Sequence, residues 1–327
     1  MKTLVTGANG FIGSHLVKKL LEAGHDVRAL VLKGTSEEFL EGLDCEIVYG
    51  DVIQKQSLIE PLKDIDVIFH LAALPSSAWT KMVVKVNYEG TKNAFEAALS
   101  QGVKRFVFMS SLVVHGFDDF DEGDESTPLI DPKWYKRPYI KSKILCEQFL
   151  RSHMDEMEVV IIRPGFTIFG PHDVLTSKEI IGRLDAGKSV PNINHGNSKM
   201  CYSYVENLAE GLVLAGTHPE APGKTFLMTD DDPPYITLKM FNDAICEELG
   251  VEGSELSLPY GLVAPFVALL DLIYRIFLRK KLPKISMYTL KVAKHDLHFF
   301  SDKAKNMLGY EPEISFKEGI KRTVRWY

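Results

Sequence analysis

The stretch Thr6-Gly7-Ala8-Asn9-Gly10-Phe11-Ile12-Gly13 narrows the folds open to this chain more than any other. Before it, Lys2 to Val5 reads as a short apolar strand. After it, Ile12 to Ala23 carries Leu16, Leu20 and Ala23 at helical spacing, and Gly24 stops the helix. Glycines spaced G-x-x-G-x-x-G between a strand and a helix suit a pyrophosphate. Gly7 permits the tight turn, Gly10 lets backbone approach the phosphates, and Gly13 lets the helix pack close to the strand. The helix N-terminus adds unpaired N–H groups and a partial positive charge. With Asn9, Phe11 and Ile12 filling the loop, the segment predicts a dinucleotide site.

The periodicity downstream agrees. Val27 to Leu32, Glu46 to Tyr49, Val67 to Leu71, Phe106 to Met109 and Val159 to Ile162 read as strands, and Gln56 to Leu62, Val83 to Ser100 and Tyr139 to His153 as helices. Short apolar runs alternating with helices predict an α/β fold, a doubly wound parallel (Rossmann) sheet covered on both faces. After Arg163-Pro164-Gly165 the pattern loosens. We therefore expect a dinucleotide-binding domain at 1–163 plus about 203–230, and a smaller, mostly helical substrate domain at 164–202 and 231–327.

Several classes drop out. A net charge of −6 argues against a nucleic-acid partner, which needs a concentrated basic surface. Cys45, Cys146, Cys201 and Cys246 lie far apart, which suggests neither disulfides nor structural zinc and fits a reducing cytoplasm. The first residues leave no room for a targeting segment before the glycine turn. The acidic run Asp118 to Glu125 matches no calcium loop and is expected to be a solvated loop. His295 and His298 lack a third ligand and are read as structural, so no metal site is expected.

The second strand of such a unit ends where the adenosine ribose is read. A carboxylate there suits NAD, and a base suits the 2′-phosphate of NADP. Here Val31-Leu32-Lys33-Gly34-Thr35-Ser36 offers Lys33 and no carboxylate, so a preference for NADP over NAD is expected. Asp51 and Val52 follow the third strand, where Asp51 is placed to accept from the adenine amino group. The small residues of Leu71-Ala72-Ala73 would let backbone lie against the cofactor.

The chemistry sits farther on. Tyr139 and Lys143 are four apart at the start of a helix opened by Pro138, so they share a face. A free phenol with a pKa of about 10 is a poor proton exchanger at neutrality; an adjacent ammonium should lower that value. Tyr135 has a tyrosine, not a lysine, four residues later and is the poorer candidate. Ser111 follows the fifth strand and is placed to orient a substrate oxygen.

In this order, these features make the chain similar to the extended short-chain dehydrogenase/reductase family. The resemblance runs through T-G-A-N-G-F-I-G, G-D-V at Gly50 to Val52, H-L-A-A at His70 to Ala73 and V-N-Y-E-G-T at Val86 to Thr91. It continues in S-S-L-V-V-H-G at Ser110 to Gly116, Y-I-K-S-K at Tyr139 to Lys143 and R-P-G at Arg163 to Gly165. It implies a nicotinamide cofactor, with Ser111, Tyr139 and Lys143 as the catalytic trio. Asn87, Pro164, Tyr139 and Lys143 would belong to the cofactor side. It also implies a homodimer through the helices at Val83 to Ser100 and Tyr139 to His153.

Within the family, Tyr202-Ser203-Tyr204-Val205-Glu206-Asn207 and the tail from His298-Phe299-Phe300-Ser301 to Leu308-Gly309-Tyr310-Glu311-Pro312 resemble the 3β-hydroxysteroid dehydrogenase and sterol-decarboxylating branch. Dihydroflavonol reductases and hopanoid-associated reductases share parts of both patterns. The branch implies hydride exchange with an alcohol or carbonyl of a small, largely apolar substrate. The alternatives are an NDP-sugar epimerase or dehydratase with tightly held NAD, and a cofactor-binding sensor or scaffold without turnover. Against the sugar reading, Arg163 to Gly170 contains no asparagine and Met200 stands where a phosphate-binding arginine is expected, although Lys199 and Arg183 are candidate substitutes.

The apolar run from Leu256 to Leu270 is broken by Pro259, Gly261 and Pro265. Beyond it, Phe266 to Leu278 is greasy nearly all round, with Asp271 and Arg275 as its polar stripe and Arg279, Lys280, Lys281 and Lys284 following. We expect this helix to be buried or to lid the pocket. The alternative is a peripheral contact with an anionic membrane surface.

Overall fold

Parallel strands build the core of the computed structural model, which describes every residue except 76–78, 134–136, 175, 231–234, 280 and 282–284. Among the described residues the central sheet has seven strands: β1 (Lys2–Thr6), β2 (Asp26–Val31), β3 (Glu46–Tyr49), β4 (Val67–His70), β5 (Arg105–Met109), β6 (Glu158–Pro164) and β7 (Lys224–Met228). Their spatial order is β7-β6-β5-β4-β1-β2-β3. Successive side chains point to opposite faces, which divides the core in two. Val5, Val107 and Ile162 pack beneath α1 (Phe11–Glu22) with Leu16, Val17 and Leu20. Leu4, Phe106 and Ile161 pack on the other face with Ala94 and Phe95 of α2 (Gly90–Ser100) and Cys146 and Leu150 of α3 (Pro138–Arg151). Gly24 ends α1 as expected: at φ +76° it lets His25 N–H reach the Leu20 carbonyl and its own N–H reach that of Leu21.

Three sequence expectations need correction, and one strand was not anticipated. The helix expected at Val83 to Ser100 is a short α turn (Lys81–Val84), a π turn (Lys85–Glu89) and then α2, and the π turn carries Asn87. Gln56 to Leu62 forms only a 3₁₀ turn at Lys55–Leu58 and further turns. The acidic run is not all loop, because Phe120–Gly123 is a strand paired with Leu297–Phe299. There Phe120 packs on Phe299, and the missing side chain of Gly123 makes room for the Phe299 ring, which a Cβ would approach to 2.6 Å. The seventh strand, β7, lies inside the stretch 203–230 and had no strand signal of its own.

Beyond α4 (Leu238–Leu249), the apolar segment forms α5 (Tyr260–Phe277), which precedes α6 (Met287–Lys294). Pro265 does not break it. Standing just beyond the first turn, it forfeits a single backbone bond. By length and composition α5 is able to cross a membrane. Burial does not describe it: only Val267 and Asp271 are buried, while Leu262, Phe266 and Phe277 are 77%, 69% and 76% exposed.

Candidate active site

All strands of the sheet run the same way, so their C-terminal ends share one edge. There the chain places the glycine turn after β1, Lys33 after β2, Asp51 and Val52 after β3, Leu71 to Ala73 after β4, Ser111 after β5 and Pro164 at the end of β6. Between β1 and β4 the winding reverses, opening the crevice in which such sheets bind ligands.

The glycine turn has the shape a dinucleotide needs. Gly7 adopts φ +69°, and a side chain there would press within 3.0 Å of the Ala72 backbone nitrogen. A Cβ at Gly13 would collide with the Gly7 carbonyl oxygen, so helix and turn are in direct contact. Gly10 caps α1 with no side-chain hydrogen bond, which leaves that helix end to backbone donors alone. The Thr6 hydroxyl accepts from the Leu71 and Ala72 N–H groups at 3.1 and 3.0 Å, pinning β4's end beside the turn. Phe11 and Ile12 begin α1, partly buried. These residues fit a nicotinamide dinucleotide.

The outer part of the crevice is loop. Asn9 Nδ2 donates to Thr35 Oγ1 at 2.8 Å and to the Ser36 carbonyl at 2.7 Å, tying the glycine turn to the loop after β2. Lys33 is exposed on that loop, in a turn closed by Thr35 N–H to the Leu32 carbonyl. Asp51 makes a local turn, its carboxylate accepting from Ile53 N–H at 3.0 Å and from Gln54 Nε2 at 3.3 Å. Val52 is buried against Gly90.

Ser111, Tyr139 and Lys143 come together at the end of β5. Ser111 opens a 3₁₀ turn (Leu112–His115), where its hydroxyl accepts from Val113 N–H at 3.4 Å and lies near enough to the Tyr139 phenol to act on its pKa. Lys143 is buried, and its Nζ donates to the Met109 carbonyl at 2.6 Å, 6.0 Å from the centre of the Tyr139 ring. The expected lowering of the phenol's pKa by lysine is not what these side chains produce. Burial pushes Tyr139 up to about 12, opposed by the neighbouring Ser111 hydroxyl. Burial likewise pushes Lys143 down to about 8, against the pull of Cys146 and Glu147. The physical reason is burial, with the Lys143 ammonium engaged by the Met109 carbonyl.

Asn87 is buried, accepts from Leu74 N–H at 2.7 Å and donates to Ser142 Oγ at 2.9 Å. It thus joins the segment after β4 to the residue preceding Lys143. Tyr135, Lys280 and Lys284 lie outside the described residues.

Two buried polar networks beneath the site had no clear sequence signal. His70 lies between the hydroxyls of Thr6 (3.0 Å) and Thr91 (3.2 Å), and burial lowers its pKa to about 3. Glu147 receives both Nε and Nη2 of Arg163, at 2.9 and 2.6 Å, and the hydroxyl of Ser110 at 2.5 Å. Burial alone would raise the Glu147 pKa, but the Arg163 bonds and charge hold it below its ordinary value. The one available hint was that Lys143, Glu147 and Arg151 fall four apart on α3.

A model of the 3-beta hydroxysteroid dehydrogenase/isomerase family matches residues 4–260. The chain is 30% identical over 340 residues to the mouse (Mus musculus) sterol-4-alpha-carboxylate 3-dehydrogenase, decarboxylating, covering 99% of this chain and 90% of that one. It is also 30% identical over 348 residues to the Arabidopsis thaliana 3beta-hydroxysteroid-dehydrogenase/decarboxylase isoform 1, covering 98% and 78%. An epimerase from Methanothermobacter thermautotrophicus superposes with a TM-score of 0.81 at 26% identity, covering 99% of this chain and 91% of the other. The Thermotoga maritima UDP-glucose 4-epimerase does so with 0.78 at 23%, covering 100% and 98%, a likeness of fold.

Proposed function

We propose, from the premise that this chain belongs to the 3-beta hydroxysteroid dehydrogenase/isomerase family, that it oxidises or reduces an alcohol/carbonyl pair on an apolar, steroid-like substrate. The observation carrying this reading is the convergence of Ser111, Tyr139 and Lys143 at the strand edge that also holds the glycine turn. A bound nicotinamide would supply or accept the hydride. Gly7, Asn9, Gly10, Phe11, Ile12 and Gly13 would hold its pyrophosphate end, and Leu71 to Ala73, Asn87, Lys143 and Pro164 its inner part. Tyr139 holds the exchangeable proton on its phenol oxygen, Ser111 orients the substrate oxygen, and Lys143 locks the end of β5 through Met109. With its pKa pushed up to about 12, the Tyr139 phenol is protonated at neutrality and set to donate to a carbonyl oxygen.

The steroid-like class rests on the names of the mouse and Arabidopsis relatives. A preference for NADP rests on Lys33 beside Thr35 and Ser36 in a loop that Asn9 fastens. Contact with an anionic membrane surface rests on exposed Leu262, Phe266 and Phe277, followed by Arg279 and Lys281. We further infer a homodimer through the α2 and α3 faces, and cytoplasmic residence from four free cysteines. The sugar-nucleotide reading is the weaker one. Met200 is buried, Lys199 lies over Tyr235, and Arg183 reaches only the Ser189 carbonyl at 3.5 Å. Incubating the protein with NAD or NADP and a panel of 3β-hydroxysteroids should yield reduced nicotinamide. Turnover confined to UDP-sugars, with NAD that cannot be washed away, would reject the proposal.

A further inference from the structure

Asp271 and Arg275 stand four apart on α5, yet they are not partners. Asp271 reaches off the helix: its Oδ2 accepts from Arg137 Nη2 at 2.5 Å and from Met287 N–H at 3.1 Å, while Oδ1 is buried without a hydrogen bond. Both members of this ion pair are more than nine-tenths buried. Arg275 instead lies over the Trp79 ring at 5.2 Å, and the Arg137 guanidinium lies over the same ring at 5.0 Å. A charge pair withdrawn from water holds its partners firmly once both are present and penalises the loss of either.

The location of this pair gives it a consequence. Val267 is the other buried residue of α5, so the ion pair is a principal anchor of a helix whose remaining surface is largely apolar and exposed. At its other end Arg137 caps α3, its carbonyl accepting from Lys141 N–H at 3.1 Å, with Tyr139 two residues along. The pair thereby connects α5 to the turn that carries the phenol.

We propose that Arg137 and Asp271 are a positioning pair through which the seating of α5 on an anionic lipid surface steadies the turn bearing Tyr139. This rests on the membrane reading above. The lipid surface is chosen as occupant because the exposed greasy face runs into the exposed cations Arg275, Arg279 and Lys281 at its C-terminal end.

Hydrogen exchange tests it without a known substrate. In the wild-type protein, vesicles of phosphatidylcholine with phosphatidylserine should slow exchange across residues 260–277 and, several-fold, at the Lys141 amide; phosphatidylcholine alone should do less. In Asp271→Asn, Lys141 should exchange faster than wild type before lipid is added. The same vesicles should still protect 260–277 but no longer Lys141. Arg137→Lys, which keeps the charge, should retain the Lys141 response. Should Asp271→Asn exchange everywhere, as an unfolded chain would, Arg137→Lys and the charge-exchanged double variant R137D/D271R decide: a retained or restored lipid response supports the pair, and its absence from both overturns it. Lipid protection of 260–277 without any change at Lys141 in the wild type would overturn the pair and leave the membrane reading standing. Absence of lipid protection anywhere would overturn both.

Discussion

At the scale of single residues the site is governed by burial. Tyr139 and Lys143 shift in opposite directions, to about 12 and about 8 from ordinary values near 10 and 10.5. Carbonyl reduction uses the protonated phenol and should stay fast through neutrality. Alcohol oxidation needs the phenolate, so its rate should climb as pH rises; rate–pH profiles in both directions check this, and an oxidative profile falling with pH would contradict it. His70 makes a second prediction. Its folded pKa of about 3 lies below an unfolded value near 6.5, so the unfolded chain binds the extra proton between them. The stability contributed by neutral His70 is complete above about 6.5 and is lost as pH falls toward 3, at about 1.4 kcal/mol per pH unit while the proton is taken up. Urea unfolding between neutral and mildly acidic pH should show a slope shallower by about one proton in His70→Gln. None of this was legible in the sequence. Y-x-x-x-K spacing gives a shared face, but not where the amine points, and Met109 takes the ammonium through a contact 34 residues distant.

Among the structural elements, the glycine turn was the most legible because its constraint is local. Gly13 needs no side chain where α1 touches Gly7, and Gly24 needs a left-handed backbone where α1 ends. Their replacement by alanine should differ in kind. Gly13→Ala must displace backbone, and is expected to cost about 1–3 kcal/mol or more and to abolish nicotinamide dinucleotide binding. Gly24→Ala meets open space and should cost only about 1 kcal/mol of backbone strain, with binding intact. Thermal unfolding and cofactor titration of the two variants separate these outcomes; normal binding by Gly13→Ala would contradict the assigned role of the turn. Elements formed by distant pairing were less legible. Phe120–Gly123 becomes a strand because Leu297–Phe299 lies beside it, and six carboxylates in the run conceal the ring-on-glycine contact that fixes the pair. The π turn at Asn87 was equally hidden, since one extra residue in a helical turn changes no apolar spacing enough to see.

Across the whole molecule the sheet order follows from βα alternation, while the placement of α5 does not. Its greasy sequence suits a core helix and a surface helix equally well, and only the packing distinguishes them. Replacing Phe266 and Phe277 together by Asp should release the protein from phosphatidylserine-containing vesicles while leaving its melting temperature nearly unchanged, because both rings are exposed. Retained sedimentation with vesicles would reject lipid contact through this face. Joining such a surface to a site at the strand edge falls to Arg137 and Asp271, residues 134 apart whose pairing no spacing rule foretells. The account as a whole turns on one phenol exchanging a proton beside a bound nicotinamide. The most direct test is to titrate reduced nicotinamide dinucleotide into wild-type protein and Tyr139→Phe by fluorescence, then follow turnover of each with a ketosteroid. Equal binding with turnover lost in the variant is predicted; turnover by Tyr139→Phe at the wild-type rate would contradict the assignment.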